Sequence, residues 1–135
     1  MIRVSAGILR RGDRILICQR AGNDAFTGKW EFPGGKIRGG ESAEEALVRE
    51  LAEELDIVVR SGDLRPAETI RHQYPGGPRV ELHFFHVLTF RGDPVNRTFR
   101  RIKWVGPSDA PGYDFLEADR PLLNRLAAGS TLPKT

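Results

Sequence analysis

The sequence predicts an α/β layered fold, on three observations. Residues 2–9 place Ile2, Val4, Ala6 and Ile8 on one side, the two-residue period of a strand. Residues 42–55 repeat leucine at Leu47, Leu51 and Leu55, the recurrence of a helix that packs along one stripe. Strand-like and helical segments interleave along the chain, as layered α/β architectures require.

Each element has its own signal. Arg11-Gly12-Asp13 is a turn, and Arg14 to Gln19 is an apolar strand that pairs back on the first. Residues 21–28 (AGNDAFTG) form a loop, and Lys29-Trp30-Glu31-Phe32-Pro33 leads into Gly34-Gly35. The helix over 42–55 opens with a capping box, Ser42 with Glu45 three residues on, and its first turn is acidic where the helix dipole favours anions. Two long strands are expected at 64–74 and 79–90, joined by Pro75-Gly76-Gly77-Pro78. The second is apolar on both faces and suits a central position. A short strand at Ile102–Val105 and a helix from Arg120 to Ala128 follow.

At 135 residues the chain suits one domain, residues 1–129, with a frayed tail at 130–135. No run of eighteen apolar residues is present, so no membrane partner is expected. The apolar N-terminal run is too short for a signal peptide and has no cleavage site after it. Cys18 is the single cysteine and reads as a buried small hydrophobe. The chain is therefore expected in the cytoplasm. A net charge of +3 favours anionic partners without separating nucleotides from nucleic acids.

The segment Gly35 to Ile57 carries the chemistry. On a helical wheel of about 100° per residue, Glu53 and Glu54 fall to either side of Glu50, beside the leucine stripe. Like charges at these spacings repel unless a cation intervenes. An all-oxygen donor set selects hard ions, Mg²⁺ or Mn²⁺, over zinc. Such an ion acidifies water, and a spare carboxylate can take the proton. The alternative is a merely solvated acidic face. His83 and His86, three apart on a strand, point to opposite faces and cannot share an ion.

Gly35, Glu41, Arg49-Glu50-Leu51, Glu53-Glu54 and Ile57 occur at the spacing of the Nudix box and match every specified position but one. The chain resembles Nudix hydrolases over nearly its whole length, and the MutT-like and CTP pyrophosphohydrolase-like subgroup in particular, through Trp30-Glu31-Phe32-Pro33-Gly34-Gly35-Lys36. The resemblance implies an α/β/α sandwich with a mixed sheet. It implies Mg²⁺-dependent hydrolysis of a nucleoside triphosphate to monophosphate and pyrophosphate, in a sanitising role towards oxidised or modified nucleotides. It gives Glu53 and Glu54 as metal ligands, Glu50 as ligand or base, Gly34 as a carbonyl ligand and Arg49 as the residue that orients the acids. It places Arg20, Glu31, Phe32, Lys36 and Asp119 at the substrate, where Arg20 and Lys36 also read as solvated cations and Phe32 as a core aromatic. The partner is a small nucleotide rather than nucleic acid, and the chain a monomer or homodimer. Another nucleoside diphosphate derivative, or a non-catalytic nucleotide-binding module, remains the alternative.

Three departures bear on these expectations. Asp56 stands where the box has glycine, and a left-handed helix end there costs about 1–2 kcal/mol at most. The segment Asn96 to Arg101 lacks the glutamate many relatives carry there. The basic residues Arg91, Arg97, Arg100, Arg101 and Lys103 form either a phosphate-facing group or a solvated charge run. Asp119 matches an asparagine that reads oxidised guanine in MutT. Read as an ionised carboxylate it only accepts hydrogen bonds, which favours an amino-bearing edge such as that of cytosine. Its alternative role is to cap the last helix.

Overall fold

The computed structural model describes residues 1–129, and the tail expected to fray at 130–135 lies outside them. Seven strands join in one mixed sheet: β1 (Ile2–Arg11), β2 (Arg14–Gln19), β3 (Trp30–Glu31), β4 (Gly34–Lys36), β5 (Leu64–Gln73), β6 (Arg79–Val87) and β7 (Arg101–Val105). The helices are α1 (Ala43–Leu55) and α2 (Arg120–Ala127). β1 runs parallel to β6 from Ile2↔Val80 to Leu9↔Val87, and β5 closes that side antiparallel to β6. No described helix is long and apolar enough to cross a membrane.

The strand period sorts side chains to two faces. Ala6 and Ile8 join Phe32, Phe84, Phe115 and the α2 leucines Leu122, Leu123 and Leu126 on one side. Leu9, Leu16, Phe85 and Val87 join the α1 leucines Leu47, Leu51 and Leu55 on the other. A helix thus covers each face, and the architecture is the expected α/β/α sandwich.

Two short strands were not anticipated, and Pro33 explains them. Proline has no N–H to donate, so a ladder breaks at it. Before it, Trp30 and Glu31 pair with β2, and after it Gly34 to Lys36 pair with β1. The hairpin of β1 and β2 is therefore short, paired only at Arg10↔Ile15 and Arg11↔Arg14, and β2 turns to β7 instead. β6 ends at Val87, three residues before the expected end, because the Leu88 N–H donates to the Asp63 carbonyl.

The capping box forms as expected, with the Glu45 N–H donating to Ser42 Oγ and the Ser42 N–H to Glu45 Oε1. Asp56 ends α1 in the left-handed conformation (φ 55°, ψ 37°) that the missing glycine requires. Its carboxylate is met by Arg97 at 3.0 Å.

Candidate active site

Strand β4 is where the site assembles. Its Gly34 N–H donates to Glu54 Oε1 at 3.1 Å. A Cβ placed on Gly35 would lie 2.6 Å from Glu50 Oε2, so the carboxylate of Glu50 rests directly over that glycine. Glu50 and Glu54 thus reach β4 from α1, two helical turns and more beyond the cap.

Arg49 organises the remaining acids. Its Nε and Nη2 donate to the two Glu41 oxygens at 2.7 and 2.9 Å, and Nη1 donates to Glu50 at 2.7 Å. Nη1 lies 3.5 Å from Glu53, and Nη2 also donates to the Lys36 carbonyl at 3.0 Å. The fork ties the helix to the glycine-rich lead-in, a geometry that guanidinium supplies and ammonium does not. The Arg49 hydrogen bonds, with the Arg38 N–H, hold Glu41 down to about 2.

Glu54 has no such cation. Burial, then the charges of Glu50 and Glu31, push its carboxyl up to about 9 against the single Gly34 N–H. The expected face of three acids is present, yet no three His, Cys, Asp or Glu side chains converge as a ready cation cluster among the described residues. Glu50 turns to Arg49 and Glu54 to Gly34, while Glu53 is half exposed. The donor set still fits a hard cation: the oxygens are carboxylates, and one of them is buried among like charges without a counter-charge.

A cavity of about 320 Å³ opens on the same strand, lined by Gly34, Gly35 and Lys36. Its wall includes Arg20, Glu31, Phe32 and Asp119, so all five residues expected at the substrate meet there. Arg20 donates to both Glu31 oxygens at 3.3 Å and lies 3.6 Å from Asp24. Burial raises Glu31 to about 7, with Arg20 opposing the rise. Phe32 packs against Phe84 and Phe115 as a core aromatic and also lines the cavity.

Asp119 is 2% exposed and does not cap α2. Its Oδ2 accepts from the Phe32 N–H at 3.4 Å, and its Oδ1 has no hydrogen-bond partner. Burial, then the charge of Glu31, raises its pKa well above the usual range. The raised proton affinity works against the reading of Asp119 as an ionised acceptor, and a protonated carboxyl would donate and accept together.

Sequence reasoning missed Phe26 and Tyr74, whose rings meet at 4.9 Å and line the cavity. One sits in an irregular loop and the other follows a strand end, so no period marks either. The basic group is dispersed. Arg97 pairs with Asp56, Arg101 lies over Trp30 at 5.7 Å, Lys103 lies over Tyr113 at 5.2 Å, and none of the five lines the cavity. A larger groove of about 730 Å³ beside β7 and the end of α2 mixes Arg10, Arg14 and Lys103 with Asp13 and Asp109. It lies away from the carboxylate helix, so volume alone does not choose the site.

Comparison with known proteins agrees with this layout. The model of the NUDIX domain matches residues 1–126. A CTP pyrophosphohydrolase of Escherichia coli K12 is 38% identical over 129 residues, covering 95% of this chain and 93% of that protein. An 8-oxo-dGTP diphosphatase of the same organism is 32% identical over 126 residues, covering 93% and 95%. Among solved structures, the E. coli ORF135 protein superposes with a TM-score of 0.82 at 36% identity, covering 95% of this chain and 89% of that one. MutT, studied from Aliivibrio salmonicida and Vibrio cholerae, superposes with a TM-score of 0.77 at 32% identity, covering 94% and 96%. Members of this family generally need a divalent metal ion. The chain belongs to the NUDIX domain family and is a Nudix hydrolase.

Proposed function

We propose that this chain is a cytoplasmic Mg²⁺-dependent nucleoside triphosphate pyrophosphohydrolase, releasing the monophosphate and pyrophosphate. One observation carries the reading: β4 lines the nucleoside-sized cavity and also receives the Glu50 and Glu54 carboxylates. A base held against Asp119 therefore directs its phosphates along β4 to the acids. Glu53, Glu54 and Glu50 would hold the cation, with the Gly34 carbonyl, and Mn²⁺ would fit the same oxygens. When bound, the cation supplies charge neutralisation on the phosphates and makes water more acidic.

The chain's own residues do the rest. Arg49 holds Glu50 in place, and Glu50 lies within reach of a water approaching over Gly35. It serves as the proton acceptor in a chain with no acid from Asn96 to Arg101. Lys36 and Arg20, on the cavity wall, offer cationic donors to the polyphosphate and the sugar edge. A neutral Asp119 carboxyl gives a donor to cytosine N3 and an acceptor to its N4 amino group. Guanine O6 and N1–H are matched as well. The E. coli relatives named for CTP and for 8-oxo-dGTP fit that pairing.

A phosphate-release panel with Mg²⁺ and added pyrophosphatase tests this. It covers the common triphosphates, 8-oxo-dGTP, and CTP with its 5-methyl deoxy form. A neutral carboxyl also pairs with the O4 and N3–H of UTP and dTTP, so these should be turned over too, whereas confinement to the amino-bearing bases would restore an ionised Asp119. A base profile left unchanged in Asp119→Ala would remove Asp119 from base reading. Normal activity in Glu54→Gln would remove the metal assignment.

A further inference from the structure

Ser5 is polar and 0% exposed, at the point where β1 passes beneath α1 and beside β4. Its hydroxyl donates to the Ala43 carbonyl at 2.6 Å. Ala43 is the first residue of α1, and its carbonyl is already the acceptor for an N–H one turn on, so the hydroxyl adds a tertiary bond to a helical one. The same residue pairs across the sheet with Gly35. Its backbone carbonyl lies so close to Gly34 that a Cβ there would collide with it.

Helix geometry shows where this anchor acts. Glu50 and Glu54 follow Ala43 by seven and eleven residues, so at about 100° per residue they lie within about 20° of its line along the helix. The line runs over β1. Midway, Leu47 Cδ1 would stand 3.5 Å from a Cβ on Gly7, the next residue of β1 on that face. The small residues Ser5 and Gly7 let the helix approach, and the Ser5 hydroxyl fixes its near end. The far end then sets Glu50 over Gly35 and Glu54 on the Gly34 N–H. Without the hydroxyl, the near end of α1 rests over β1 on dispersion contacts, which discriminate weakly over tenths of an ångström. The polar ties from Arg49 to the Lys36 carbonyl and from the Gly34 N–H to Glu54 lie further along the helix.

We propose that Ser5 is a positioning residue for catalysis: it locks the helix carrying Glu50, Glu53 and Glu54 to the strand pair carrying Gly34 and Gly35. The inference rests on the reading of those acids as the cation site. It assigns to β1 a role in metal affinity, though β1 contributes no ligand.

The test compares Ser5→Ala with Leu126→Ala, a core truncation on the opposite face of the sheet, and with Glu54→Gln. For each folded variant, Mg²⁺ half-saturation, kcat, KM and Tm are measured. Ser5→Ala should raise the Mg²⁺ half-saturation by about three- to tenfold and lower kcat by a similar factor, leaving KM for the nucleotide nearly unchanged. Leu126→Ala should lower Tm at least as far without moving the Mg²⁺ curve. If Ser5→Ala does not fold, Ser5→Cys keeps a near-isosteric, slightly larger side chain, weakens the donor and gives the same readout. An unchanged Mg²⁺ curve and kcat in the folded Ser5 variant, with Glu54→Gln inactive, overturns the role of Ser5 alone. An active Glu54→Gln overturns the cation site itself.

Discussion

Gly34 and Gly35 are adjacent, yet a methyl group on each should have opposite consequences. At Gly35 the three atoms nearest the added Cβ all belong to the carboxylate of Glu50, its carbon closest and its oxygens at 2.6 and 2.7 Å. Ordinary contact begins at 3.4 Å, so the carboxylate must retreat by about 1 Å, which a side chain does by rotating. Stability should fall by about 1 kcal/mol, the scale of one partly exposed ion pair with Arg49. A displacement of this size at a reacting group costs about 10- to 100-fold in rate. At Gly34 the added Cβ meets backbone, the Ser5 carbonyl and the Ala6 Cα at 2.7 Å, at a φ of +153°. Backbone cannot rotate away, so Gly34→Ala should cost more than about 4 kcal/mol and fail to give folded protein. Thermal melts with pyrophosphate release under saturating Mg²⁺ separate the two. A Gly35→Ala enzyme whose kcat/KM stays within about threefold of the parent would refute the placement of Glu50 in the reaction.

Further predictions concern charge. Glu54 and Glu31 have folded pKa values of about 9 and about 7, above the usual 4.5, so each favours the folded state while protonated. That contribution is complete below about pH 4.5 and is lost as the pH rises through 7 and 9. Glu41 and Glu81, held to about 2, change nothing in this range. Tm in EDTA should therefore fall from pH 5 to pH 9, and saturating Mg²⁺ should flatten the upper part by taking the place of the Glu54 proton. A metal-free Tm that climbs with pH would contradict the uncompensated acids. Mg²⁺ binding at pH 8 should release a proton, read by calorimetry in buffers of different ionisation heat, and no release would count against Glu54 as a ligand. Asp119→Asn keeps shape and neutrality, so stability at pH 8 should stay within about 1 kcal/mol of the parent or rise. Its ratio of cytosine- to guanine-type turnover should shift, and a collapse of stability would show that Asp119 is an ionised structural residue.

What was legible in the sequence follows from the range of each interaction. The capping box, the leucine stripe and the left-handed end at Asp56 are set within a few residues, so α1 was readable to its caps. β3 and β4 were not, because two- and three-residue strands have no period. Their existence depends on partners from β1 and β2 on the far side of Pro33. The cavity was legible in part. Arg20, Glu31, Phe32, Lys36 and Asp119 were picked by resemblance, whereas Phe26 and Tyr74 come together only through folding. The raised proton affinity of Asp119 was out of reach for the same reason. A carboxylate's charge depends on burial and on Glu31, and neither is written in its neighbours along the chain. The helix-start context of Asp119 even pointed the other way, towards a cap that the side chain does not make.

The two buried acids also explain why the reaction and the base choice are separable. Arg49 compensates Glu41 and Glu50, and Arg20 compensates Glu31 directly and Asp119 only at a distance, which leaves Glu54 and Asp119 without an ion-pair partner among the described residues. Each resolves that imbalance differently. Glu54 lies on the helix whose acids face β4, where, on the proposed function, a cation would replace its proton and folding energy would become metal affinity. Asp119 lies behind Phe32 with an orphan oxygen, where, on the same proposal, a hydrogen-bonding base edge would pair with its carboxyl. Glu31 stands between them and raises both. Removing its charge in Glu31→Gln should lower the affinity of each for its proton and reduce the pull on a doubly charged cation still more, so Mg²⁺ binding should weaken at pH 8, where Glu31 is ionised. Unchanged Mg²⁺ affinity in a folded Glu31→Gln protein would show that the two acids titrate independently of Glu31.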